Sequence, residues 1–285
     1  MTKINKPFLG TDLEKNHFEE AEIILQSLPY DGTSSWGKGA DRGFEAMIEA
    51  SEYVETYDIE TDSEVYTRGI HLPDPVIDDS SPEANTEAVY SRTKELLESG
   101  KFLTFFGGEH SVSIGTIRAF REAWPDMTVL QMDAHTDLRP EYHGSPFNHA
   151  CALHEASKHV NLVQVGIRSM DTVELPYLNR NQCYFAEKVA GTTGWMEKSI
   201  GQMTDNVYIT FDLDCFDPSV MPSTGTPEPG GLDWITVIRY LRKVFQEKNV
   251  VGFDIVELAP IEGLYAPDFT AAKLYYKMLN YRFEL

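Results

Sequence analysis

The chain of 285 residues reads as an α/β fold, one mostly parallel sheet with helices on both of its faces. Two observations predict this. Short apolar, β-rich runs alternate with longer segments of helical spacing, and strand–helix–strand in repeated order builds a parallel sheet. The polar clusters also sit where the apolar runs end, as expected when a site forms at the carboxyl edge of such a sheet. No internal repeat, low-complexity linker or break in composition interrupts the pattern, so residues 1–285 are expected to form a single domain.

The elements follow in order. Residues 21–28 (AEIILQSL) read as a first strand, closed by the turn signal Pro29-Tyr30-Asp31-Gly32. Residues 41–53 have helical spacing. A helix is expected over 82–98, with Ser81 as N-cap, Pro82 at its first position and Gly100 ending it. Residues 102–106 form a strand entering Gly107-Gly108, 114–123 a helix, and 127–132 a strand delivering a polar cluster. Further strands are expected at 161–167, 206–211 and 250–256. A helix at 233–247 carries Ile235, Ile238, Leu241 and Phe245, and a last helix covers about 270–281.

Composition excludes several classes. A formal charge of −21 opposes nucleic acid, whose phosphates demand a basic face, and permits a small cationic substrate. No segment approaches about 18 consecutive apolar residues, and the first seven residues lack the apolar stretch of a signal peptide. Cys151, Cys183 and Cys215 are odd in number and widely spaced, which suits a reducing compartment. A cytoplasmic protein without membrane partners is expected.

The chemistry concentrates in three segments. Asp133-Ala134-His135-Thr136-Asp137 sets metal-binding side chains at every second position, Asp212-Leu213-Asp214 repeats the spacing, and Gly107-Gly108-Glu109 leads into His110. Four carboxylates and two imidazoles at the ends of apolar runs are about what two divalent cations require. In an extended segment, residues i and i+2 share one face about 6.5 Å apart, a spacing that suits Asp212 and Asp214 directly. Asp133 and Asp137 would lie about 13 Å apart if extended, so that segment must curl to bring both onto one ion. The blander reading makes the first motif a solvated turn and the second a pair of helix caps. Both motifs together, with the histidine upstream, favour a binuclear metalloenzyme.

These residues resemble the ureohydrolase family of arginases and agmatinases. The resemblance rests on Gly107–Ser111, on Asp133–Asp137, and on the block from Phe211 through Asp217-Pro218 to Gly225-Thr226 and Gly230-Gly231-Leu232. It also takes in Asp254-Ile255-Val256-Glu257 and the glycine-rich stretch around Tyr30-Asp31-Gly32 and Gly39–Glu45. It implies a three-layer α/β/α sandwich, two Mn²⁺ ions per subunit and a homotrimer or homohexamer. It implies that His110, Asp133, Asp137 and Asp212 hold one ion, and Asp133, His135, Asp212 and Asp214 the other. Asp137 would also accept a hydrogen bond from the attacking hydroxide. Glu257 matches the carboxylate that pairs with the substrate guanidinium, and His149 the histidine assigned proton transfer.

The stretch 138–148 lacks the small polar residues with which arginases grip an α-carboxylate. Agmatine, hydrolysed to putrescine and urea, is therefore the leading substrate, with N1-aminopropylagmatine, arginine or a guanidino acid as alternatives. Glu141 or Asp171 is expected to receive the distal ammonium, Asp171 falling where arginases keep an aspartate near the substrate amine. Arg139 would suit a guanidino acid's carboxylate, but it is expected to pair with a nearby acid such as Glu141. His143, His154 and His159 read as surface or packing residues, His17 and His71 belong to no constellation, and Glu109 and Asp254 read as orienting groups. A phosphoesterase would need Arg139 or Arg168 near the metals, and a metal-bound protein without turnover would not need His149 and Glu257.

Overall fold

The computed structural model describes residues 6–285; the first five, part of the stretch read above for targeting, lie outside the described residues. The strands are β1 (Ile23–Leu28), β2 (Ile70–His71), β3 (Phe102–Gly107), β4 (Thr128–Met132), β5 (Asn161–Ile167), β6 (Cys183–Phe185), β7 (Asn206–Asp212) and β8 (Asn249–Val256). They form one sheet in the order β2-β1-β3-β8-β7-β4-β5-β6. Every pairing is parallel. The helices are α1 (Gly43–Ser51), α2 (Pro82–Leu97), α3 (Val112–Ala123), α4 (Ala156–His159), α5 (Ala186–Val189), α6 (Gly194–Ile200), α7 (Trp234–Glu247) and α8 (Ala266–Glu284).

Strand side chains alternate between two apolar layers. Ile23 and Leu25 join α1, α6, α7 and α8 on one face of the sheet. Ile24 and Leu28 join α2, α3 and α4 on the other. Burial on both faces is why the strands read as unbroken apolar runs. The helix ends follow local chemistry. The Ser81 hydroxyl accepts a hydrogen bond from Ala84 N at 3.1 Å, and the Asp233 carboxylate accepts one from Thr236 N at 2.9 Å.

Three expectations need correction. Ile235 is 61% exposed, because it lies on the far side of α7 from the centre of the buried stripe Val237, Ile238, Tyr240, Leu241, Val244 and Phe245. The last helix starts four residues early, at Ala266, where Pro267 presets the first turn. The short strands β2 and β6, two and three residues long, are too brief to show a period in sequence. No helix among the described residues is long and apolar enough to cross a membrane.

This topology places four consecutive strands, β3, β8, β7 and β4, side by side at the middle of the sheet. Their carboxyl ends carry His110, Glu257, Asp212 and Asp133. Residues up to 147 positions apart in sequence, as Glu257 and His110 are, thus arrive at one edge.

Candidate metal and substrate site

The chain leaves β4 and curls at once. Asp137 takes a left-handed φ of 51°, which an aspartate tolerates better than most residues. The curl brings Asp133 Oδ2 and Asp137 Oδ2 to 3.1 and 3.0 Å from His110 Nδ1, with Asp212 Oδ2 at 3.4 Å. On the other side, His135 Nδ1 lies 2.9 Å from Asp214 Oδ2 and 3.7 Å from Asp133 Oδ1. Ligand atoms of His110, Asp133 and Asp212 cluster in one group and those of Asp133, His135 and Asp214 in a second, so Asp133 belongs to both. Asp212 and Asp214 do not share an extended face as expected. Residues 213–215 form a 3₁₀ turn in which the Asp212 carboxylate accepts from Asp214 N at 2.8 Å, and that turn swings Asp214 toward His135.

Electrostatics and an orphaned atom show that the set suits cations. His110 Nδ1 is buried and has no hydrogen-bond partner, although three carboxylates face it. Burial alone would depress His110, but the carboxylates of Asp133, Asp137 and Asp212 overrule it and raise the imidazole well above its ordinary value. Burial and the neighbouring Asp133 charge push Asp137 up to about 7. Burial and the charges of Asp214 and Asp133 raise Asp212 well above the usual carboxylate range. Without metal, protons must supply the positive charge that this buried cluster demands.

The imidazole orientation is set from behind. Thr210 Oγ1 donates to Asp254 Oδ1 at 2.6 Å, so it must accept from His110 Nε2–H at 2.9 Å. The Nδ1 lone pair is then left facing the carboxylates, as metal ligation requires. Tyr208 holds the other Asp254 oxygen at 2.7 Å. Behind β3, a Cβ on Gly108 would meet Tyr30 O at 2.0 Å, so only glycine lets the Tyr30 segment approach the His110 loop.

Glu257 follows β8 with a left-handed φ of 69°. Its amide donates to Gly108 O at 2.8 Å, and its Oε1 accepts from His110 N at 2.9 Å. Burial and the nearby Glu109 charge raise its carboxyl well above the ordinary range. His149 stands across the cavity. Thr33 Oγ1 donates to Glu109 Oε1 at 2.9 Å and therefore accepts from His149 Nδ1–H at 3.2 Å. Its Nε2 is then the acceptor, with Ser35 Oγ as a distant donor at 3.5 Å. Burial, then the neighbouring charge on His135, lowers the His149 imidazole to about 4, so the ring is neutral at physiological pH.

A cavity of about 210 Å³ collects His135, Asp137, His149, Asp212, Asp214 and Glu257. A larger one, of about 530 Å³, opens around Tyr30, Asp31 and Asp79 but holds no imidazole, so the smaller cavity is the one with convergent chemistry. At its rim, Arg139 Nη2 pairs with Asp171 Oδ2 at 3.0 Å rather than with Glu141, which is exposed and does not line the cavity. Glu141, which follows Pro140, is thus placed outside the residues that line the cavity, whereas Asp171, the other residue expected to receive a distal ammonium, is among them. Asp171 lines the cavity and also caps the turn 172–174. His143 and His159 are exposed, and His154 packs on Tyr177 with its Nδ1 2.9 Å from Leu138 O.

Several working residues escaped the sequence. Glu174 accepts from Thr136 Oγ1 at 2.6 Å and Leu138 N at 2.8 Å, fixing the curl that follows β4. Asp171-Thr172-Val173-Glu174 has the capping-box spacing, a signal that could have drawn attention to it. Thr33 and Thr210 carry no local signal, since these partners are 44 to 116 positions away. Arg168 is spent on the carbonyls of Gly166, Asp214, Cys215, Phe216 and Glu228, holding the Asp214 turn in place.

Comparison with known proteins finds similar sequences and a similar fold. The profile described as the arginase family matches residues 21–280. The N(1)-aminopropylagmatine ureohydrolase of Synechocystis sp. is 34% identical, over 93% of this chain and 90% of that protein. The protein of the same name from Thermus thermophilus is 36% identical, over 92% and 91%. The crystal structure of agmatine ureohydrolase of Thermoplasma volcanium superposes with a TM-score of 0.83 at 28% identity, covering 94% of this chain and 92% of that one.

Proposed function

This chain belongs to the arginase family, and from that premise we propose that it hydrolyses the guanidinium group of a carboxylate-free, polyamine-like guanidine, releasing urea. The observation that carries the reading is the pair of ligand groups sharing Asp133 on the floor of a cavity into which Glu257 and His149 also open. The metal is proposed as manganese, two ions per subunit. His110, Asp133, Asp137 and Asp212 would hold one, and Asp133, His135, Asp212 and Asp214 the other. When bound, two divalent cations acidify a shared water enough to provide a nucleophile near neutral pH.

The protein's own groups do the rest. Glu257, already oriented by His110 N, would pair with the planar guanidinium and hold its carbon over the floor. Asp137, at the curl after β4, would accept the hydrogen bond that aims the nucleophile. His149 Nε2 has a lone pair for a proton and would return that proton to the departing amine, which leaves most readily when protonated. A resting value near 4 keeps the imidazole neutral and ready to accept.

Charge at the rim supports a substrate without a carboxylate. Arg168 is saturated by carbonyls and Arg139 is paired with Asp171, so neither is free for a carboxylate or a phosphoester. N1-aminopropylagmatine is proposed as the preferred substrate, supported by the relatives at 34% and 36% identity. Agmatine, giving putrescine and urea, is the second reading, supported by the Thermoplasma structure. A cytoplasmic homotrimer or homohexamer remains part of the proposal.

A urea-release assay on manganese-loaded protein with agmatine, N1-aminopropylagmatine, arginine and 4-guanidinobutyrate tests it. The two carboxylate-free guanidines should lead in kcat/KM. Urea from none of the four, or mainly from arginine, would refute the substrate reading.

A further inference from the structure

We infer that Arg139 and Asp171 mask one another at the mouth of the cavity, and that this pair determines which guanidines the site admits; the inference rests on the substrate reading above. Arg139, Tyr142 and Asp171 line the same cavity as His149 and Glu257. The Arg139 guanidinium is held from two sides, by Asp171 Oδ2 at 3.0 Å and by the face of Tyr142, 4.6 Å from the ring centroid. The Tyr142 ring in turn meets His149 edge-on at 6.0 Å, so the pair is seated on the site itself. Asp171 cannot turn away freely. Its Oδ1 accepts from Val173 N at 3.1 Å and from the Thr172 hydroxyl at 3.3 Å, and this capping commits the side chain.

Either charge alone would recruit a ligand. A bare carboxylate at this depth would take a single distal ammonium, and a bare guanidinium would fork onto a substrate carboxylate. Paired, they present almost no net charge and offer a partner to neither. A guanidino acid is refused its anion site and a short diamine tail its cation site. A longer tail that carries its second cation past the mouth is not penalised. Selectivity thus comes from masking as well as from attraction.

Two variants should shift the preference in opposite directions. Arg139→Met exposes the Asp171 carboxylate and should lower KM for agmatine about fivefold, the size expected for a half-exposed ion pair, narrowing any advantage of N1-aminopropylagmatine. Asp171→Asn keeps an acceptor for the Val173 amide but releases Arg139. It should lower KM for 4-guanidinobutyrate by about the same factor. Both shifts should fall on KM more than on kcat, because the pair lies away from the reacting carbon. Calorimetric titration of the variants with the same two guanidines reads the mask without turnover. Opposite shifts support it, and equal shifts or none overturn it. Wild-type protein that releases urea from no guanidine sinks the substrate reading instead, while the binding shifts still decide the mask.

Discussion

The floor and the rim of the cavity are built differently. The floor is contributed by strand ends: His110, Asp133, Asp212 and Asp214 are almost wholly buried, His110 donating to Thr210 and the carboxylates accepting from Gln131 and neighbouring amides. The rim comes from loops. Arg139 and Asp171 retain 26% and 37% of their side-chain exposure and hold each other rather than the sheet. A buried, pre-set floor supplies reactivity that does not depend on the substrate's tail, whereas a half-exposed rim can be retuned by single substitutions without disturbing the fold.

The floor should break first and hardest. Asp133 belongs to both ligand groups, so Asp133→Asn should lose both ions and at least about a thousandfold in kcat/KM, read by metal analysis and urea release together. Glu257→Gln comes next. The amide can still accept from His110 N, so metal content should hold while kcat/KM falls about a hundredfold for want of a guanidinium partner. Retention of full efficiency would remove Glu257 from its role. Thr33→Val separates positioning from ligation. It leaves His149 Nδ1 without its acceptor and should cost about tenfold in kcat, with metal content unmoved.

The smallest effect concerns pH. In metal-free protein Asp137 is raised from its ordinary value to about 7, and His110 and His135 are raised too. Groups raised on folding contribute stability that is present below their unfolded pKa and lost as pH climbs through the folded value. Above about pH 7 the depressed His149 is neutral both folded and unfolded, so metal-free protein should melt about 2–4 °C lower at pH 9 than at pH 7, and manganese should abolish the difference. A melting point that rises with pH over that range in metal-free protein would contradict the cluster electrostatics.

The same division explains what could be read in the chain. The floor was legible because strands buried on both faces leave apolar runs, and two of those runs end in acids and histidines spaced by two. The positions of Asp133, Asp137 and His110 needed only a curl after β4, which the 13 Å problem already demanded. Local geometry was misjudged at Asp212–Asp214, where a 3₁₀ turn replaced an extended pair. The rim was hardly legible. Nothing in the sequence chose between Glu141 and Asp171 as the partner of Arg139, because Asp171 lies beyond a whole helix and strand and arrives only through the packing of β4 beside β5. Thr33 and Thr210 were invisible for the same reason, being ordinary residues whose importance is entirely long-range.

Metal counting bears most directly on the proposal that the floor holds two ions. Protein saturated with manganese, dialysed and analysed by plasma emission, should carry two ions per chain, and Asp133→Asn fewer than one. One ion or none in the wild type, or an Asp133→Asn variant that still retains two, would contradict it.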